Sequence, residues 1–224
     1  MNDSVIVVQA RMESTRLPGK VLLPLAGKPL IFHLLERLSS IPCQGLCVAI
    51  SDAKASDRLN EILVQKGYSV FRGHPTNVYL RFLNAVKKYS ASVLVRVTAD
   101  NPLTDCEAIK KGMQLIHEQD LDYVWMTHCP VGCGCDIFKM RTFLSFENAS
   151  LTEEEKEHIV PIFRNRKELK GMPVSCGFPK EAEQLRLTVD TQDDYQQMDQ
   201  LVNKYIQQGS LELDRVIREK ISSS

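Results

Sequence analysis

Short apolar runs alternate with stretches whose apolar residues recur every three or four positions. Val5–Val8 is an unbroken β-branched run, the pattern of a strand buried on both faces. From Pro29 to Ile41, residues Leu30, Ile31, Leu34, Leu35, Leu38 and Ile41 share one helical face, and Pro29 suits the first helical position. Leu46–Ile50 predicts a second strand, and a second helix runs from Ser56 onward. Tyr68–Phe71 predicts a short strand, Asn77–Tyr89 a helix with Val78, Phe82 and Val86 in register, and Val93–Val97 a central strand. Cys106–His117 predicts a helix with Ile109, Met113 and Ile116 in register, and Tyr123–Met126 another strand. This β-α order over residues 1–127 predicts an α/β fold, a doubly wound and mostly parallel sheet covered by helices.

The stretch 128–185 is less regular. It begins rich in Cys and Gly, then suggests a helix at Glu153–Arg166 and a strand at Pro173–Cys176. It reads as an inserted α+β segment lying over one end of the sheet, within a single domain of residues 1–224. Leu185–Val189 then returns as a strand. Thr191-x-x-Asp194 opens a helix with Tyr195, Met198, Leu201, Val202 and Tyr205 on its inner face, and a last helix spans about Leu211–Ile221. There is no repeat, and no low-complexity tract apart from Ser222–Ser224.

Composition narrows the function classes. Lys plus Arg is 28 and Asp plus Glu is 28, so the net charge is zero. That argues against a nucleic-acid binder, which shows a basic excess. A polyanionic ligand would have to be met by a local cluster. No apolar run approaches the roughly 20 residues that span a bilayer, so no membrane association is expected. The start does not read as a signal peptide, because Asp3 stands where a positive region belongs and the apolar run is short. Seven cysteines, an odd number, point to free thiols in the reducing cytoplasm.

In open α/β sheets ligands bind at the carboxyl ends of strands, and three such ends carry polar residues. After the first come four cations, Arg11, Arg16, Lys20 and Lys28, against one anion, Glu13. Pro18-Gly19 makes a turn whose N–H groups can also face an anion. A triphosphate needs this combination, although a solvated surface loop has the same composition. The P-loop pattern is absent, because Val21 follows Gly19-Lys20. The second end runs into Asp100-Asn101-Pro102, and the third into Asp190. Two such carboxylates suit Mg²⁺, which takes oxygen ligands and shares them with phosphates. The competing reading is an Asp that starts a turn. Asp194 reads as a capping partner of Thr191, and Asp193 as favourable charge in the first turn.

His128-Cys129-Pro130-Val131-Gly132-Cys133-Gly134-Cys135 has zinc-ligating residue types, but not a structural-zinc spacing. Cys129, Cys133 and Cys135 are expected to be free thiols lining or flanking a pocket, without a metal. Cys43 and Cys47 read as structural positions flanking a strand, and His33 as a packed side chain on a Leu-rich helix.

The run Gln9-Ala-Arg-Met-Glu-Ser-Thr-Arg-Leu-Pro-Gly-Lys, followed by Leu25-Ala-Gly-Lys-Pro-Leu, closely resembles the opening of the cytidylyltransferases that make CMP-activated acidic sugars. CMP-Kdo synthetase is the best-known member. The nearest branch is the spore coat polysaccharide biosynthesis protein F-like group. It also carries segments similar to Arg96-Val-Thr-Ala-Asp-Asn-Pro-Leu-Thr-Asp, Glu157-His158 and Leu185-Arg-Leu-Thr-Val-Asp-Thr, in the same order. The resemblance implies a nucleotidyltransferase fold shared with GT-A glycosyltransferases. It implies transfer of CMP from CTP to a sugar acid or related acceptor, with release of pyrophosphate, in surface polysaccharide or glycan biosynthesis. It implies Mg²⁺ as cofactor and a cytoplasmic homodimer. By position, Ala10, Arg11, Ser14, Arg16 and Lys20 would bind the nucleotide. Arg16, Lys20, Asp100 and Asp190 would be catalytic, with Asp100 and Asp190 holding the metal. Arg96, Asp136, Glu157 and His158 would belong to the acceptor pocket. The chain departs from that branch at Val131, where an arginine is expected, and at Gly134, where an acidic residue is expected. Two rivals remain. A GT-A-type glycosyltransferase usually needs an Asp-x-Asp motif, which Asp100-Asn101-Pro102 is not. A non-catalytic nucleotide-binding homologue is kept open by the altered 131–135 stretch.

Overall fold

The computed structural model describes residues 3–209 and 211–222. Of the serine tail, Ser223 and Ser224 lie outside them. The first half follows the expected alternation: β1 (Ser4–Gln9), a two-residue hairpin of β2 (Pro24–Leu25) and β3 (Lys28–Pro29), α1 (Leu30–Leu38), β4 (Gly45–Ser51), α2 (Asp57–Gln65), β5 (Ser69–Gly73), α3 (Val78–Val86), β6 (Val93–Thr98), α4 (Cys106–Glu118) and β7 (Tyr123–Thr127). The second half holds β8 (Asp136–Lys139), α5 (Met140–Leu144), α6 (Glu153–His158), α7 (Val160–Arg164), β9 (Gly171–Ser175), α8 (Gln192–Gln207) and α9 (Leu213–Ser222).

The seven-stranded sheet runs β5-β4-β1-β6-β8-β7-β9. All its pairings are parallel except the two made by β8. Alternation along β1 supplies both faces. Ile6 and Val8 pack with Ile31, Leu35, Leu59 and Ile109 of α1, α2 and α4. Val5 and Val7 pack with Phe82, Phe143 and Phe163 of α3, α5 and α7. Both faces are covered, so the strand reads as continuously apolar. From β1 the chain winds outward through β4 to β5, then crosses to β6 on the other side of β1. The carboxyl ends of β1 and β6 therefore flank a topological switch point, where doubly wound sheets bind ligands.

Four expectations are corrected. Residues 128–185 do not simply lie over one end of the sheet, because they supply β8 and β9 to it. The helix expected over Glu153–Arg166 breaks at Ile159, which takes φ 63°. Pro161 has no N–H for the carbonyl of residue 157 and its ring would collide with it, so one continuous helix is excluded. Pro29 is extended (φ −49°, ψ 136°) and precedes α1 rather than starting it. It is held there because Ala26 and Gly27 take positive φ and pair Pro29 with Pro24. Leu185–Val189 is extended but joins no ladder, having only the single bridge from Arg186 to Val131. Its bonds go to loops instead: Leu187 N–H to the Val131 carbonyl at 2.7 Å and Val189 N–H to the Asp100 carbonyl at 3.0 Å. Gly132 (φ 98°) makes that approach possible, since a Cβ there would lie 2.6 Å from the Leu187 carbonyl carbon.

The hairpin, α8, α9 and the 185–189 segment enclose a third apolar cluster around Leu25, Leu187, Val189, Val202 and Ile217. Among the described residues no helix is long and apolar enough to cross a membrane.

Candidate active site

The carboxyl ends of β1 and β6 and the end of the 185–190 segment meet at a cavity of about 140 Å³ lined by Ala10, Arg11, Ser14, Arg16, Lys20, Thr98, Asp100 and Asp190. Asp100 is delivered by β6, and Asp190 by an extended segment bonded to the Asp100 carbonyl itself. The two carboxylates, 80 and 170 residues from Lys20 in sequence, converge on its ammonium. Lys20 Nζ donates to Asp100 Oδ2 at 2.7 Å and to Asp190 Oδ1 at 2.8 Å, and only 7% of the lysine side chain is exposed. Arg16 Nη2 lies 3.3 Å from the same Asp190 oxygen, with 62% of its side chain exposed.

The other Asp190 oxygen is held from behind. Arg186 Nη2 donates to Oδ2 at 2.7 Å, while its Nε donates to Asp194 Oδ1 at 2.8 Å. Asp194 in turn completes a capping box with Thr191 at the start of α8. Burial pushes the Asp190 carboxyl up, but the hydrogen bond and charge of Lys20, aided by Arg186 and Arg16, outweigh it and hold its pKa below the usual value. The Arg186 hydrogen bond, working against burial, holds the Asp194 carboxyl well below the ordinary range.

The loop between β1 and β2 is held by its turn. Gly19 takes φ 71° and its N–H donates to the Met12 carbonyl at 2.9 Å, while the Lys20 N–H donates to Leu17 at 3.3 Å. The Pro18-Gly19 turn therefore spends its donors on the loop, contrary to the expectation that they face an anion. Among the described residues, the N–H groups of Ser14, Thr15 and Arg16, which line the cavity, have no protein acceptor. Lys28 points elsewhere and pairs with Glu36.

A second cavity, about 260 Å³, shares Thr98 with the first and is lined by Arg96, Asn101, Trp125, Met126, Gly134, Cys135, Asp136 and Arg164. Arg96 Nη1 donates to Asp136 Oδ2 at 2.8 Å and Nη2 donates to Gln9 at 2.9 Å. Arg164 sits over the Trp125 ring, 5.7 Å from its centroid. Among the described residues Arg164 has no carboxylate partner. Of the four expected acceptor residues, Arg96 and Asp136 line this cavity. Glu157 does not; it pairs instead with Arg11 of the loop at 3.4 Å. His158 is exposed at the end of α6 and lines neither cavity.

Sequence reasoning missed Arg186, Arg164 and Trp125. Nothing in the spacing of Arg164 or Trp125 marks them, since they meet only through the fold. Arg186 lay within the family-like segment, but the segment's expected strand concealed its role.

Of the cysteines, Cys135 lines the second cavity and Cys133 is buried against the α8–α9 cluster. Burial pushes both thiols up. Cys129 is lowered by a hydrogen bond from Cys176, against burial. Cys47 lies within β4 rather than flanking it. His33 is buried with Nε2 2.8 Å from the Leu25 carbonyl, and burial lowers its pKa.

The family model for cytidylyltransferases matches residues 5–220. The chain belongs to the cytidylyltransferase family. Family members are nucleotidyltransferases that use CTP, and this chain is one of them. It is 32% identical over 211 residues to the spore coat polysaccharide biosynthesis protein SpsF of Bacillus subtilis (strain 168), covering 91% of this chain and 88% of that protein. It is 31% identical over 119 residues to a 3-deoxy-manno-octulosonate cytidylyltransferase of Francisella philomiragia, covering 51% of this chain and 46% of that one. A solved cytidylyltransferase from Leptospira borgpetersenii serovar Hardjo-bovis superposes with a TM-score of 0.85 at 28% identity, covering 99% of this chain and 94% of that chain.

Proposed function

We propose that this cytidylyltransferase transfers CMP from CTP to a sugar acid or related anionic acceptor in surface polysaccharide synthesis. The observation that carries the reading is the convergence of Asp100 and Asp190 on one cation beside a cationic loop at the sheet's switch point. In this reading Ala10, Arg11, Ser14, Arg16 and Lys20 hold the nucleotide, with the free N–H groups of residues 14–16 toward its phosphates. The second cavity takes the acceptor. The acceptor hydroxyl oxygen attacks the α-phosphorus and releases its proton to solvent, while the bond to the bridging oxygen of pyrophosphate breaks in line. Arg16 and Lys20 stabilise the charge that grows on the leaving oxygen, so positioning and electrostatics supply most of the catalysis.

The carboxylates fit a divalent cation. Their oxygens lie 2.7 and 2.8 Å from a single ammonium nitrogen, so they already aim at one cation-sized position, and Mg²⁺ commonly uses two carboxylates with phosphate oxygens. When bound there, Mg²⁺ polarises the acceptor hydroxyl and offsets phosphate charge. Arg186 and Asp194 keep Asp190 oriented for that role.

The acceptor class is supported by charge. Arg96 and Asp136 offset each other, and Arg164 leaves the cavity with a net positive side chain over an aromatic face. Gly134, where the family branch carries an acidic residue, adds no compensating carboxylate. The relationship to SpsF supports a polysaccharide pathway, and that to 3-deoxy-manno-octulosonate cytidylyltransferase supports a sugar acid. The reading takes residues 1–224 as one domain in which 128–185 carries the acceptor wall. It also takes the protein as a cytoplasmic homodimer; seven free thiols support the compartment. Light scattering at twice the mass of one chain checks the assembly.

Pyrophosphate release from CTP, measured with a panel of sugar acids and matched neutral sugars, tests the function. Release with an acid and not with its neutral counterpart is expected. CTP binding without release for any acceptor would instead identify a non-catalytic homologue.

A further inference from the structure

We propose that Lys20 is a built-in occupant of the metal position, and that a divalent cation enters only as the triphosphate draws Lys20 away. This rests on the metal reading above. The side chain is nearly enclosed, with 7% exposed, and its ammonium contacts both carboxylates at hydrogen-bond distance. Asp100, Asp190 and Asp194 face Lys20, Arg16 and Arg186, so this network carries three negative and three positive charges without any ligand.

A divalent ion added to that network alone meets a cation already seated between its ligands. The two carboxylates are not equivalent when Lys20 leaves. Asp190 keeps Arg16 and Arg186. Asp100 pairs with Lys20 alone among the described residues and would be left as an uncompensated, part-buried carboxylate, which is costly. Departure of Lys20 is therefore favourable only if its ammonium gains new anionic partners and a different cation reaches Asp100. A triphosphate beside the loop supplies the first, and a divalent ion the second. The four-carbon lysine stem allows the ammonium to move while the backbone stays in the turn fixed by Gly19. Nucleotide and metal then bind with positive coupling, each raising the other's affinity by the same factor. Ordinary coupling spans about 5- to 150-fold.

Free Mn²⁺ measured by electron paramagnetic resonance tests this on the full chain without acceptor. Wild type, Lys20→Met and Lys20→Gln are titrated with Mn²⁺, each with and without CTP, and Asp100→Asn with CTP corrects for metal carried by the nucleotide itself. In wild type, CTP should tighten Mn²⁺ binding by at least about fivefold. Without CTP, both Lys20 variants should bind Mn²⁺ at least about fivefold more tightly than wild type, while their CTP affinity falls. Adding Asp100→Asn to Lys20→Met should remove that gain. Folded Lys20 variants that bind Mn²⁺ no better than wild type would overturn the proposal while leaving the metal reading intact. Should Lys20→Met fail to fold, Lys20→Gln and the wild-type coupling decide alone. If wild type with CTP binds no more Mn²⁺ than Asp100→Asn with CTP, the metal reading fails and the proposal with it.

Discussion

The two adjoining cavities solve opposite electrostatic problems. Around Lys20 every charge is already matched: Asp100 and Asp190 by the lysine, Asp190 again by Arg16 and Arg186, and Asp194 by Arg186. Around Trp125 the match is incomplete, because Arg96 has Asp136 while Arg164, among the described residues, has the aromatic face and no carboxylate. A self-balanced site would have to exchange partners when ligands arrive, which would couple their affinities. An unbalanced site would take an anion with little rearrangement. The two also differ in construction. The first is set by strand ends and a capped helix; the second depends on α7, β7 and the loop before β8.

The largest expected effect separates them directly. Asp100→Asn and Asp190→Asn should lower turnover at least about a hundredfold with every acceptor, the scale of losing one preorganised contact to developing charge. Thermal unfolding should shift far less. If either variant keeps most of its activity, that carboxylate is a turn or network residue. Next come Lys20→Ala and Arg16→Ala, each removing a charge-assisted contact of about 1.5–3 kcal/mol. That corresponds to about tenfold or more in CTP affinity. Unchanged affinity in both would remove the loop from the nucleotide site.

Arg164→Met sharpens the contrast. It should raise the KM for an acidic acceptor about tenfold or more and leave the KM for CTP unchanged. Equal changes in both constants would mean the cavities do not divide the substrates.

Asp194→Ala should cost about 1–2 kcal/mol at pH 7 through loss of the carboxylate half of the α8 capping box and of the Arg186 pair, while Thr191 still caps the helix. The Asp194 carboxyl is held low, so its contribution is full above the ordinary carboxylate pKa near 4. It is lost as pH falls through the depressed folded value. The gap in unfolding free energy between wild type and variant should therefore narrow below about pH 4. A gap independent of pH would show that charge is not involved. The smallest effect is at His158, where His158→Ala should change kcat/KM less than about twofold, as exposed substitutions away from a site usually do. A larger loss would return this residue to the acceptor pocket.

The sequence by itself determined the periodic half. The β-branched run of β1 and the helical spacing in α1, α3 and α4 each encode burial locally, so element type and order could be read without coordinates. It also determined the cationic loop and the Thr191–Asp194 cap, because these are set by neighbours a few residues apart. Even there, Pro161 carried a local signal that the 153–166 helix must break. Only the tertiary structure decided where charges pair. That Lys20 bridges Asp100 and Asp190, that Glu157 turns to Arg11, and that Arg164 reaches Trp125 depend on residues up to 170 positions apart. The same holds for 185–190: its β-like composition predicts extension, but whether an extended segment joins a sheet depends on what lies beside it. Here the neighbours were the Val131 and Asp100 carbonyls, and a loop that only Gly132 lets approach. Local pattern fixes backbone shape through nearby sterics, whereas pairing of charges and of extended segments is settled by the partners that folding brings within reach.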